Sequence, residues 1–105
     1  MSVKKVANKK EFDAEIAGAS GLVVVDFFAT WCGPCRAISP KVESMAAEFT
    51  TVLFLKVDVD ENSDTAEAEE ISAMPTFKFY KNGAKVDELT GANEAKLRGL
   101  IEKHK

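Results

Sequence analysis

Leu22-Val23-Val24-Val25-Asp26-Phe27-Phe28-Ala29 is apolar at both parities except for one carboxylate, and it leads through Thr30 into Trp31-Cys32-Gly33-Pro34-Cys35. A run that is apolar on odd and even positions alike fits a strand covered on both faces, as in the middle of a parallel sheet. After Cys35, the residues Ile38, Val42, Met45, Ala46 and Phe49 recur at helical spacing, so a central strand turns into a long helix within a few residues. Pro40 falls inside that helix, where it removes a backbone donor and predicts a bend. Strand-to-helix turns of this kind are where ligands and reactive groups gather in open α/β sheets. This one holds both cysteines of the chain.

Upstream, Asn8 and Glu11 have capping-box spacing and Phe12 with Ile16 forms an i, i+4 face, which predicts a helix over Lys9–Ala17 stopped by Gly18 and Gly21. Downstream, Val52–Val59 reads as a second doubly apolar strand, followed by a short helix over Ser63–Ile71 capped by Ser63 or Asn62. Thr76–Tyr80, Asn82-Gly83 and Ala84–Leu89 read as a hairpin, because Asn-Gly suits the positive φ angles of a type I′ turn. Asn93 then caps a last helix carrying Leu97, Leu100 and Ile101. The order is strand, helix, strand, helix, strand, helix, strand, strand, helix. With no repeat or linker, one α/β domain over residues 1–105 is expected.

A chain of 105 residues excludes a two-domain enzyme with its own cofactor domain. At 46% hydrophobic and 30% charged residues it is neither disordered by composition nor a membrane protein, and no apolar run approaches the roughly 20 residues that span a bilayer. Fourteen basic against seventeen acidic residues, a net charge of −3, argue against nucleic acid or an anionic membrane as partner. Seven of the acids fall between Asp58 and Glu70 with no basic residue among them; they read as a solvated helix face or as a patch that steers a basic partner. No apolar stretch follows Met1-Ser2-Val3-Lys4-Lys5, so no secretory signal is expected and the cytoplasm is the expected compartment. In a reducing compartment two close cysteines point to redox chemistry or metal binding.

Cysteines three apart on a first helical turn hold their Cβ atoms roughly 5–6 Å apart, so modest tightening closes a disulfide. Pro34 loses nothing at a helix start, and Cys32 faces the helix N-terminus, where unpaired N–H groups and the dipole favour thiolate. A structural staple over so short a loop gains only about 2 kcal/mol. Zinc needs four ligands, and the sole histidine, His104, sits at a terminus expected to fray. A c-type haem needs histidine where Arg36 stands. Redox chemistry is the reading these comparisons favour. Asp26 is either a solvated strand-end carboxylate or a buried one whose pKa rises. Lys56, in the equally apolar Val52–Val59 strand, either pairs with it or extends its amine to solvent along an apolar stem.

The stretch Val25–Cys35, together with Met74-Pro75-Thr76 and Gly91-Ala92, resembles the thioredoxin family over nearly the whole chain. The Gly33-Pro34 pair after Trp31 distinguishes it from glutaredoxins and disulfide isomerase domains, which usually carry other residues between the cysteines. The resemblance implies the thioredoxin fold, a central mixed β-sheet of about five strands flanked by about four helices. It implies a protein disulfide reductase in which Cys32 is the nucleophile, Cys35 resolves the mixed disulfide, and Asp26 accepts the proton of Cys35. It also implies that Pro75 is cis against the disulfide and that Asp60 holds the indole N–H of a partly exposed Trp31. Met74, Pro75, Gly91 and Ala92 would form a shallow groove for an extended substrate strand, with plain core packing the alternative for Met74. No cofactor would bind; a monomer would be re-reduced by a thioredoxin reductase using NADPH. Some animal members carry further cysteines where this chain has Glu69 and Ala73, so regulation through them is not expected here. Two other readings are a binding module that uses the same groove without electron transfer, and an oxidase or isomerase of an oxidising compartment.

Overall fold

The computed structural model describes residues 3–105, so Met1 and Ser2, part of the stretch read for a signal, lie outside it. Nine elements follow in order: β1 (Lys4–Lys5), α1 (Lys9–Gly18), β2 (Val23–Phe28), α2 (Gly33–Glu48), β3 (Leu53–Asp58), α3 (Ser63–Ala68), β4 (Thr76–Lys81), β5 (Ala84–Thr90) and α4 (Glu94–His104). They build one five-stranded sheet in the order β1-β3-β2-β4-β5. β1 and β2 both run parallel to β3, while β4 is antiparallel to β2 and β5 to β4, which makes the sheet mixed. β2 is the central strand, as its doubly apolar sequence predicts.

Strand alternation then deals the residues of β2 to two cores. Leu22 and Val24 join Phe77 and Phe79 under Ile38, Val42 and Met45 of α2 and Leu97 and Ile101 of α4. Val23, Val25 and Phe27 pack with Leu55, Val57 and Tyr80 against Phe12 and Ile16 of α1. Asp26 shares the α2 face by parity, and so enters an apolar layer as a carboxylate. No helix among the described residues is long and apolar enough to cross a membrane.

Caps and turns explain where the elements stop. Asn8, Asn62 and Asn93 each accept a backbone N–H three residues on, from Glu11, Thr65 and Lys96. Asn82 and Gly83 both have positive φ, 55° and 80°, the conformation a type I′ hairpin turn requires. The helix expected over Ser63–Ile71 ends earlier, at Ala68. Glu70 adopts φ 58°, and the N–H groups of Glu70 and Ile71 turn back to the carbonyls of Glu67 and Ala66. That is a Schellman cap with glutamate in the left-handed place that glycine usually takes, which is why the sequence gives no stop signal there. α2 runs unbroken through Pro40, which is exposed, so water can reach the carbonyl that proline leaves unbonded. His104 is likewise held where fraying was expected: its Nε2 lies 2.9 Å from Asp87 Oδ2, and its carbonyl accepts from Lys81 Nζ at 3.0 Å.

Phe27 is fully buried beside Phe12, with ring centroids 6.3 Å apart, at the middle of the α1-side core. Phe27→Ala is expected to lower unfolding free energy by about 3–5 kcal/mol through lost transfer energy and a residual cavity. A guanidinium titration that shows a loss below about 1 kcal/mol would mean that this face collapses around the vacancy and is not closely packed.

Candidate active site

α2 begins one residue after β2's exit loop reaches Cys32, and Cys32 is its N-cap, with extended φ −86° and ψ 113°. A sulfur thus occupies the place that serine, threonine or asparagine usually fills. Cys32 Sγ accepts the Cys35 N–H at 3.2 Å, and the Cys32 carbonyl accepts the Arg36 N–H at the same distance. Cys32 and Cys35 are joined as a disulfide with Cα atoms 5.2 Å apart. Gly33 and Pro34 fill the first two helical positions, both exposed, where proline's missing N–H costs no helix bond. Both sulfurs are covered: Cys32 is 7% and Cys35 4% exposed, packed with Ala29 and against Phe28, Val59 and Met74.

Three loops close around this turn. The Met74–Pro75 bond is cis, and the Met74 carbonyl oxygen lies 3.7 Å from Cys32 Sγ. Gly91 donates its N–H to the Pro75 carbonyl at 2.8 Å with φ +106°, a conformation that favours glycine. Ala92 follows it, exposed. Trp31 is 66% exposed, and its indole Nε1–H donates to Asp60 Oδ2 at 2.9 Å. The indole therefore forms a wall fixed at its polar end, not a core residue.

Beneath the disulfide a cavity of about 190 Å³ is lined by Asp26, Cys35, Lys56, Phe28, Thr30, Arg36 and others. Asp26 is buried, its Oδ1 has no hydrogen-bond partner, and burial pushes its pKa from 3.8 up to about 7, with nearby Lys56 pulling the other way. Register sets Lys56 directly opposite Asp26 across β2 and β3. The lysine nevertheless holds its ammonium 6.0 Å from the Phe28 ring centroid, so it acts on the carboxylate through space and leaves Oδ1 unbonded. Among the described residues no group of three or more histidine, cysteine or acidic side chains could hold a metal.

Cys32, Cys35, Asp26, Trp31, Gly33, Pro34, Lys56, Asp60, Met74, Pro75, Gly91 and Ala92 all lie at this turn, the loops around it or the cavity beneath it. Two supports were not singled out from sequence. Asp58, 3% exposed, accepts the N–H groups of Asp60 and Glu61 through Oδ1 at 2.9 and 3.3 Å and so shapes the loop that holds Trp31. Its signal was present: an aspartate followed two residues later by a turn is an Asx-turn pattern. Arg36 donates from Nη1 to the Thr30 carbonyl at 2.9 Å, tying the exit loop of β2 to α2.

Comparison with known proteins agrees with this geometry. The thioredoxin family model matches residues 3–103. A thioredoxin of Geodia cydonium is 57% identical over 98% of this chain and 99% of that protein, and thioredoxin 1 of Plasmodium falciparum is 53% identical over 97% of each. The X-ray structure of Fasciola hepatica thioredoxin superposes with a TM-score of 0.96 at 50% identity, covering 98% of this chain and all of that one. Sheet order, the sulfur-capped helix and the matched sequence converge: the chain belongs to the thioredoxin family of thiol–disulfide oxidoreductases.

Proposed function

We infer that the protein reduces disulfides in other proteins by dithiol–disulfide exchange, with Cys32 as nucleophile and Cys35 as the resolving thiol. The observation that carries this reading is the Cys35 N–H bonded to Cys32 Sγ at a helix N-terminus. In the reduced protein that donor and the helix dipole favour a thiolate on Cys32 over one on Cys35. Cys32 attacks one sulfur of the target disulfide and the other sulfur leaves as thiolate, giving a mixed disulfide. Cys35 then attacks the Cys32 sulfur, the target's second sulfur leaves, and two electrons have passed from the protein to its target. The end state is the Cys32–Cys35 disulfide.

Cys35 must lose its proton to resolve the intermediate, and a thiol in apolar surroundings resists ionisation. Asp26 faces the same cavity as Cys35, which leaves room for direct or water-mediated transfer. With its pKa near 7, the carboxylate is poised to take a proton at neutral pH. Trp31, Met74, Pro75, Gly91 and Ala92 supply the shallow surface for an extended segment around the target disulfide, paired along the Met74 backbone by β-augmentation. The role of electron source falls to a thioredoxin reductase using NADPH, and that of compartment to the cytoplasm, with the chain acting as a single-domain monomer. NADPH oxidation coupled to insulin reduction in the presence of such a reductase tests activity and electron source together; no turnover with a chemically reduced protein would end the reading.

The two cysteines are expected to differ sharply. Cys35→Ser accumulates mixed disulfides with target proteins through Cys32, and Cys32→Ser traps almost none; equal trapping on non-reducing gels would falsify the assignment. A double Cys32→Ser, Cys35→Ser variant that kept the cellular role would instead favour the binding module.

Asp26→Asn is expected to slow the resolving step by about 10- to 100-fold while the first attack changes little. It also changes stability with a defined sign. A carboxyl whose folded pKa is raised holds its proton more tightly in the folded state, so native stability falls as pH rises from about 4 to about 7. Above pH 7 the asparagine variant should be the more stable by about 2–4 kcal/mol, and at pH 3.5 the difference should nearly vanish. Stopped-flow rates and denaturation midpoints at the two pH values decide both points: an unchanged resolving rate removes Asp26 from the reaction, and a variant less stable at pH 8 removes the burial argument.

A further inference from the structure

Strand β4 carries an anomaly that the reaction does not use. Thr76, Lys78 and Tyr80 point by alternation to the face covered by α1 and α3, and all three are buried, at 5, 7 and 5% exposure. Apolar residues would be the simplest occupants there, because a buried polar group is costly unless it is bonded. Each of the three is bonded, and all bond to one short segment. The Tyr80 hydroxyl donates to the Glu69 carboxylate, and the Lys78 ammonium donates to the Glu69 main-chain carbonyl. Thr76 Oγ1 donates to the Ala73 carbonyl at 2.6 Å.

That segment matters because of where it leads. Glu69 is the C-cap of α3, so Lys78 sets a cation at a helix C-terminus, where unpaired carbonyls favour it. Glu88 of β5 stands 4.0 Å from the same ammonium. Burial and the Glu69 carboxylate keep the Tyr80 phenol above its usual range, so it stays a donor throughout the neutral region. From Glu69 to Ala73 the chain has no regular structure, and the next residue is Met74, whose carbonyl lies against Cys32 Sγ. Both ends of this connection are therefore tied to alternate rungs of one strand. None of the three rung residues belongs to the cluster that packs the sulfurs.

We propose that Thr76, Lys78 and Tyr80 form a polar ladder that positions the 69–74 connection, and so presents the Met74 backbone to an extended protein substrate. They are positioning residues, and the proposal rests on the disulfide-reductase reading. A protein disulfide docks its backbone on Met74, whereas a small aromatic disulfide needs only the sulfur. The ladder therefore controls preference between the two, which stability alone would not change.

The test uses the reduced protein in stopped-flow, oxidised in turn by insulin and by a small aromatic disulfide. Lys78→Met keeps volume and removes the ammonium, and the ratio of the protein to the small-disulfide rate constant is expected to fall about 5-fold, the effect of one net hydrogen bond. Amide exchange over residues 70–74 should speed up about 10-fold while that of β2 holds. Tyr80→Phe, which removes only a hydroxyl, carries the same test if Lys78→Met does not fold, with a fall of about 2- to 5-fold. A ratio equal to wild type in either folded variant overturns the ladder. Wild-type protein that fails to reduce insulin would overturn the reductase reading instead, so the two failures are distinguishable.

Discussion

One hydrogen bond, from the Cys35 N–H to Cys32 Sγ, ties the chemistry of this protein to its fold. It exists only because a helix starts at that sulfur, and the helix starts there because β2 ends at Phe28 and α2 must lie back on the sheet. Ile38, Val42, Met45 and Ala46 fix that docking by burying one stripe of α2 against Val24, Phe77 and Phe79. Rotating the helix by one residue, about 100°, would bury its exposed side chains and swing Cys32 away from the loops that surround it. The hydrophobic core thus sets the electrostatics of a nearly covered sulfur through the position of a helix end.

Asp26 shows the cost of the same arrangement. Its strand position places a carboxyl between apolar neighbours, with one oxygen unbonded, and burial drives its pKa towards neutrality. Those apolar surroundings impose the penalty, and no hydrogen bond to Oδ1 offsets it. A contact ion pair with Lys56 would have repaired the penalty and, by stabilising the charged form, would have returned the carboxyl to the acidic range. Holding the ammonium beside Phe28 keeps the attraction partial. The proposed reaction needs that compromise, since a carboxylate of ordinary pKa is too weak a base to help a buried thiol.

Most of the fold was legible because periodicity and turn chemistry agreed: the two doubly apolar strands, the Asn-Gly hairpin and the caps at Asn8 and Asn93 each have a local physical cause, while for α3 the sequence left Ser63 and Asn62 open and the structure chooses Asn62. The cysteine turn was legible for the same reason, since Cys-Gly-Pro-Cys carries its helix start with it. What the sequence concealed depended on three dimensions. Glu70 ends α3 in a left-handed conformation that glycine or asparagine would have signalled and a glutamate does not. Whether Lys56 touches Asp26 is a matter of rotamer, which register alone does not decide. Lys78 and Tyr80 read as ordinary alternating hairpin residues, because the partner they share, Glu69, comes from another element.

The distribution of exposure follows from the kind of substrate proposed. The sulfurs are nearly covered, yet Trp31 beside them is the most exposed large apolar side chain described, and it is pinned by Asp60 instead of being left to collapse onto the protein. A small ligand is usually enclosed in a concave pocket. Here the cavity lined by Asp26 and Cys35 lies on the inner side, where a proton has to move and a substrate does not. The outer side offers a fixed indole, a backbone carbonyl beside Cys32 Sγ and a glycine turn. Such a surface gains little from the side chains of its target and can accept many sequences, provided the target's backbone can extend past the sulfur. Selectivity among targets then has to come from elsewhere on the surface. One charged feature adjoins the site: Asp60, bonded to the indole, lies in a stretch from Asp58 to Glu70 that carries no basic residue, and its field reaches over roughly a Debye length of 8 Å at physiological salt.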